Sequence, residues 1–137
     1  MKKFAIIVVV CLLGGTLMAQ SLEKGDVVAL HTMSIQLDPD ATLNQYLDVL
    51  VNSWMPEIVK AAGDIKGYVL HGDRGAGENR IGVVWIFPSV AVRNKYFPGN
   101  GETPEAWQAI MDKIAPINDK LEGLGSWTSE YTDWIVK

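Results

Sequence analysis

The sequence predicts a small α+β domain of four strands and two helices, and three observations predict it. Short stretches alternate apolar and polar residues with a period of two, the pattern of a half-buried strand, beginning with Val27 to Leu37. Two longer stretches, Leu43 to Ala61 and Trp107 to Leu124, repeat apolar residues at helical spacing. Their order is strand, helix, strand, strand, helix, strand, so residues 26–73 and 80–137 read as two matching halves.

On the first strand Ala29, His31, Met33, Ile35 and Leu37 share one face, and Leu30, Thr32, Ser34 and Gln36 share the other. Asp38-Pro39-Asp40 ends it. Thr42-Leu43-Asn44-Gln45 is a capping box, in which a hydroxyl and an amide three residues later satisfy free N–H groups at a helix start. Leu43, Tyr46, Leu47, Leu50, Trp54, Ile58 and Ala61 form the apolar stripe of the first helix, which Gly63 stops. Pro56 lies inside that stripe; it removes a backbone donor and clashes with the preceding turn, so a kink or restart is expected near Ser53.

Ile65 to His71 is the second strand, Gly72 to Asn79 a glycine-rich hairpin loop, and Arg80 to Phe87 the third strand. The third is apolar at nearly every position, which places it centrally with both faces covered. Ser89 caps a short helical turn, Val90 to Tyr96. Thr103-Pro104-Glu105 predicts the second long helix: a capping hydroxyl, proline at the first helical position, and an acid near the positive end. Its stripe is Trp107, Ile110, Met111, Ile114, Ile117, Leu121 and Leu124, interrupted by Pro116 as Pro56 interrupts the first. Ser126 to Val136 is a last strand rich in aromatic residues and threonine.

This order is the split strand–helix–strand arrangement called ferredoxin-like. It places the first and third strands of a four-stranded antiparallel sheet in the centre, the second and fourth at the edges, and both helices on one face. The other face is left bare. The third strand sets Ile81, Val83, Trp85 and Phe87 on one side against Val84 and Ile86 on the other. An exposed apolar sheet face requires a partner, and a second copy packed about a two-fold axis is the simplest one. On that reading Trp85→Glu is expected to give monomers or aggregate.

Ahead of the domain stands a secretory signal. Lys2 and Lys3 give a positive start, Phe4 to Leu13 is an unbroken apolar run, and Ala19 is a small residue before a cut. A membrane span needs roughly 20 apolar residues, about twice this run, and Cys11 sits within the run rather than at the cut, where a lipid anchor would need it. The expectation is that residues 1–19 are removed, leaving 20–137 as one exported domain, periplasmic or extracellular, with no membrane attachment. Losing Lys2 and Lys3 makes a chain of formal charge −4 more acidic still. That balance argues against nucleic acid as a partner, because phosphate backbones select basic patches. Cys11 is the only cysteine, so residues 20–137 contain no disulfide, thiol nucleophile or cysteine ligand.

His31 and His71 are the candidate general bases, being the only histidines. Each has a plainer reading: His31 as a core residue with a satisfied hydrogen bond, His71 as a solvated residue beside Gly72-Asp73-Arg74. As a metal pair they fit poorly. The third strand separates them by two strand spacings, roughly 9.5–10 Å, and no third ligand presents itself, so neither a metal nor a cofactor is predicted. Gly72, Gly75 and Gly77 precede a strand, whereas a phosphate-cradling loop precedes a helix. Glu130 and Asp133 alternate to opposite faces of their strand and form no carboxylate pair.

Five tryptophans (Trp54, Trp85, Trp107, Trp127 and Trp134) and four tyrosines (Tyr46, Tyr68, Tyr96 and Tyr131) suit core and interface packing. They also suit an aromatic-lined pocket for a flat apolar ligand, for which Tyr68, Trp85, Tyr131 and Trp134 are the candidate binding residues.

The strand ending Gln36-Leu37-Asp38-Pro39, the segment Gly67-Tyr68-Val69-Leu70, the run Trp85-Ile86-Phe87-Pro88-Ser89 continuing to Tyr96-Phe97, and the closing Tyr131-Thr132-Asp133-Trp134 together resemble the dimeric α+β barrel superfamily. The resemblance covers nearly all of residues 20–137. It implies a homodimer whose two sheets face each other. It implies no single activity: the superfamily holds cofactor-free monooxygenases, haem-handling enzymes, isomerases, cyclases and members without known activity, and fold does not imply function. The expectation is an exported homodimer that binds a small apolar or aromatic molecule. The alternatives are a cofactor-free monooxygenase or isomerase/cyclase acting on an aromatic or polyketide-like substrate, and a structural dimer without a ligand.

Overall fold

The computed structural model describes residues 21–137; the expected signal at residues 1–19 lies outside them. The strands are β1 (Val27–Leu37), β2 (Lys66–His71), β3 (Ile81–Phe87) and β4 (Gly125–Ile135). They form one antiparallel sheet in the order β2-β3-β1-β4, with β1 and β3 central. The helices are α1 (Leu43–Val49), α2 (Met55–Ala62), α3 (Val90–Tyr96), α4 (Glu105–Lys113) and α5 (Ala115–Glu122).

Both interrupting prolines start a new helix. Pro56 sits in the first turn of α2, and between α1 and α2 the chain takes a π-helical turn, Leu50–Trp54. There the Met55 N–H reaches back to the Leu50 carbonyl, a spacing of five residues instead of four. Pro116 likewise opens α5 after a break at Ile114. Thr42 and Gln45 form the expected capping box, with the Thr42 N–H donating to Gln45 Oε1 at 2.9 Å. The start of α4 differs from expectation. Pro104 is the cap residue itself, with no side-chain capping bond, so the ring's fixed φ rather than the Thr103 hydroxyl sets the entry.

Side-chain alternation divides the sheet. Val27, Ala29, Met33, Ile81, Val83, Trp85 and Phe87 point into the helix layer and are buried with Tyr46, Leu50, Trp54, Ile58, Ile110 and Leu121. No buried residue among those described is polar or charged. On the opposite face β3 presents Val84 and Ile86, which are half-buried, so its outer face is not covered within this chain. The register sets Leu30 opposite Val84, Tyr68 opposite Val84 on its other side, and Leu70 opposite Gly82. Leu30, Tyr68, Leu70 and Trp134 are exposed. Trp85 is only 3% exposed, on the helix side, because it has the parity of Phe87 rather than of Val84. The expectation that Trp85→Glu separates a sheet-to-sheet dimer is therefore corrected: Trp85 is not on that face.

Candidate functional site

The helices leave a cleft along the β1–β4 side of the sheet. Its inner lobe, of about 670 Å³, is walled by Trp54 from the π-helical turn, Trp85 from β3, Trp107 and Met111 from α4, and Trp127 from β4. An outer lobe of about 460 Å³ lies under the Phe97–Pro104 segment and is lined by Arg93, Tyr131 and Asp133. His31, Phe97 and Trp107 belong to both lobes.

Elementary geometry puts the rings there. Trp85 and His31 point toward the helices from the two central strands, and the π-helical turn brings Trp54 to the same side. Trp54 lies 6.1 Å from Trp85 and 6.4 Å from Trp127; Trp85 lies 6.3 Å from Trp107; Phe97 lies 4.8 Å from Trp107, all centroid to centroid. Such tilted and edge-to-face contacts stabilise aromatic clusters beyond their buried area. Polar groups fix several walls. The Trp54 indole N–H donates to Asn118 Oδ1 at 2.7 Å, tying the π-helical turn to α5. Arg93 and Asp133 form an ion pair between α3 and β4 at the outer lobe, both side chains mostly shielded from solvent.

His31 joins the lobes. Its Nδ1 lies 3.2 Å from Ser129 Oγ, and its ring stacks on Tyr131 at 5.1 Å and 17°. With the proton on Nδ1 donated to Ser129, Nε2 is left as an acceptor. Burial holds the imidazole below its ordinary value of 6.5, so it is neutral at neutral pH. The folded chain then resists a proton that the unfolded chain accepts near pH 6.5. Stability is thus expected to fall as pH drops below 6.5 and to level off beneath the folded-state value. A urea titration series should show that slope flattened in His31→Gln; a slope unchanged by the substitution would assign it to other groups.

Tyr46 lines the inner lobe and is fully buried, and its hydroxyl has no hydrogen-bond partner among the described residues. Burial pushes that hydroxyl up to about 12, so it remains a neutral donor. An unmet buried hydroxyl costs about 1–3 kcal/mol. Tyr46→Phe is therefore expected to raise the unfolding free energy by about 1 kcal/mol in urea; a loss instead would mean that the hydroxyl does have a partner.

Of the residues singled out in the sequence, the structure brings His31, Trp85 and Tyr131 to this cleft. His71 is exposed at the end of β2, with β3 between it and β1, and does not line the cleft. Tyr68 and Trp134 have the opposite parity and stand on the uncovered face, where Trp134 is 63% exposed. Tyr68 instead borders a more open groove with Asp64, Lys66 and Ile86. Sequence reasoning passed over Asn118, Ser129 and the pairing of Asp133 with Arg93, and it counted Tyr46 only among the aromatic residues. The alternation of β4 carries a signal for Ser129 and Asp133, since both share the parity of Tyr131; nothing local marks Asn118.

No protein-family model matches the chain, and no curated protein is similar to it in sequence. Solved structures are similar to it. A NIPSNAP family protein with unknown function from Agrobacterium tumefaciens is 15% identical, with 84% of this chain and 93% of that one covered and a TM-score of 0.52. A dimeric protein of unknown function and ferredoxin-like fold from Bacteroides fragilis is 15% identical, over 82% and 97%, at a TM-score of 0.47. SnoaB, a cofactor-independent oxygenase from Streptomyces nogalater, is 9% identical over 82% and 94%, at 0.43. The chain has an α+β ferredoxin-like fold.

Proposed function

We propose that this chain is an exported homodimer that binds a small apolar or aromatic molecule in the cleft between its sheet and its helices. One observation carries the binding reading: an inner lobe of about 670 Å³ walled by four tryptophans. That volume is in the range of small-molecule sites, which are concave and largely apolar with a few convergent polar groups. Here those groups are His31, Tyr46 and Asn118. Native mass spectrometry of the protein purified gently from its own host tests the reading. A dimer of chains beginning at Gln20 and carrying extra mass is expected. A bare dimer with no response to aromatic probes would shift the weight to a structural role, and chains retaining residues 1–19 would remove export.

The dimer rests on the uncovered sheet face, where Leu30, Leu70, Val84 and Ile86 form an apolar surface with Tyr68 and Trp134 at its edges. Burying such a surface against its own copy follows the usual isologous pattern. Val84→Glu is expected to give folded monomers by light scattering, with an unchanged far-ultraviolet circular dichroism spectrum. A dimer that survives this substitution would refute sheet-to-sheet packing.

A second reading is favoured by His31. A neutral imidazole lining both lobes, oriented by Ser129, is the arrangement of a general base. The chain would then be a cofactor-free oxygenase or isomerase acting on the bound aromatic. In that case His31→Gln keeps ligand binding and loses turnover; loss of both together would leave His31 a binding residue only.

A further inference from the structure

We infer that the cleft selects organic cations, an amine or quaternary ammonium on an apolar body, over neutral and anionic molecules of the same shape. The inference rests on the ligand-binding reading above and narrows its ligand class.

The charged side chains lining the inner lobe are Asp38 and Glu122, both carboxylates at its rim; no lysine or arginine lines it among the described residues. The outer lobe has one guanidinium, Arg93, and it is already matched by Asp133, which leaves Glu102 as the uncompensated charge there. His31, between the lobes, adds no positive charge while its imidazole is neutral. An anionic ligand would therefore enter a space whose fixed charges oppose it from both ends.

The walls point the same way. An aromatic face carries negative quadrupole density and attracts ammonium groups, most strongly when the ring is tryptophan and the site is desolvated. Four indoles line this lobe. Trp54 and Trp127 stand at 80°, and Trp85 and Trp107 at 84°. In each pair one ring packs its edge against the other, and Trp107 and Trp127 keep the surface that a ligand can reach, while Trp54 and Trp85 are buried.

The experiment titrates the purified protein near pH 8 with three probes of one shape: phenyltrimethylammonium, tert-butylbenzene and 2-methyl-2-phenylpropanoate. Quenching of tryptophan fluorescence reports binding. The cation is expected to bind about tenfold more tightly than tert-butylbenzene, and the carboxylate not measurably. Equal or tighter binding of tert-butylbenzene would overturn the charge preference while leaving an apolar ligand site standing. Tightest binding of the carboxylate would overturn the preference in sign. Failure of all three to quench would remove the ligand site as well. In the double variant Asp38→Asn/Glu122→Gln, both on the exposed rim, the preference for the cation should drop at least threefold with tert-butylbenzene unchanged; a preference that survives would overturn the role given to the two carboxylates.

Discussion

Trp85→Ala is expected to lower the unfolding free energy by about 3–5 kcal/mol. Trp85 is buried on a central strand, packed against Trp54 and Trp107 and paired across the sheet with Ala29 and Gly67. Both cross-strand neighbours are too small to fill the space its indole leaves, and the rings above it are held by their own helices, so the hole would collapse only in part. A loss of this size is a large fraction of the roughly 5–15 kcal/mol that holds an ordinary domain together. Urea unfolding followed by circular dichroism should show the midpoint falling with little change in slope. A loss below about 1 kcal/mol would mean that the neighbours close over the site. Trp85→Glu should fare worse, because it buries a carboxylate without a partner; its product is unfolded chain rather than folded monomer.

The next largest effect is expected at Gly67→Ala, a loss of about 2–3 kcal/mol. On an ordinary strand alanine would be the better residue, since glycine there has more freedom to lose on folding. Sterics reverse that preference here. A Cβ at residue 67 would collide with Met55 Sδ and stand 2.5 Å from Cζ3 of Trp85. The edge of the indole lies in the space that a side chain would occupy. The two positions should therefore couple. Trp85→Leu in the Gly67→Ala background is expected to cost less than Trp85→Leu alone, and a double-mutant cycle with additive losses would show that the two sites do not touch.

Much of this fold was legible because its signals are local. The Thr42–Gln45 capping box, the period of two in β1 and the two prolines each act within a few residues, and element order followed from them. The strict alternation of Ala29, His31 and Met33 was legible too, but not which of the two faces of β1 meets the helices. Trp85 was harder to place. β3 is apolar at successive positions, so hydrophobicity could not say which parity faced the helices; only the register with β1 does. The candidate site was half legible for the same reason. His31 and the tryptophans stand out by residue type, but which of them converge depends on pairings such as His31 with Tyr131 and Trp54 with Asn118, separated by 64 positions or more. Tyr68 and Trp134 are as aromatic as the rings that line the cleft and differ from them in parity alone.

The π-helical turn has a consequence for how this chain tolerates changes in length. A π turn accommodates one residue more than the α-helical ladder around it. Val51 and Asn52 are exposed within it, so on burial alone either looks dispensable. Each helical residue turns the chain by about 100°. Trp54 lies eight positions after Tyr46, so in a regular helix of unchanged length the two rings would stand about 80° out of step. The π turn absorbs the surplus and brings both over the same lobe. Dropping one exposed residue would leave them seven positions apart, nearly on one face, so the shortened chain is expected to keep its pocket. The π turn is thus a phase correction for the extra residue.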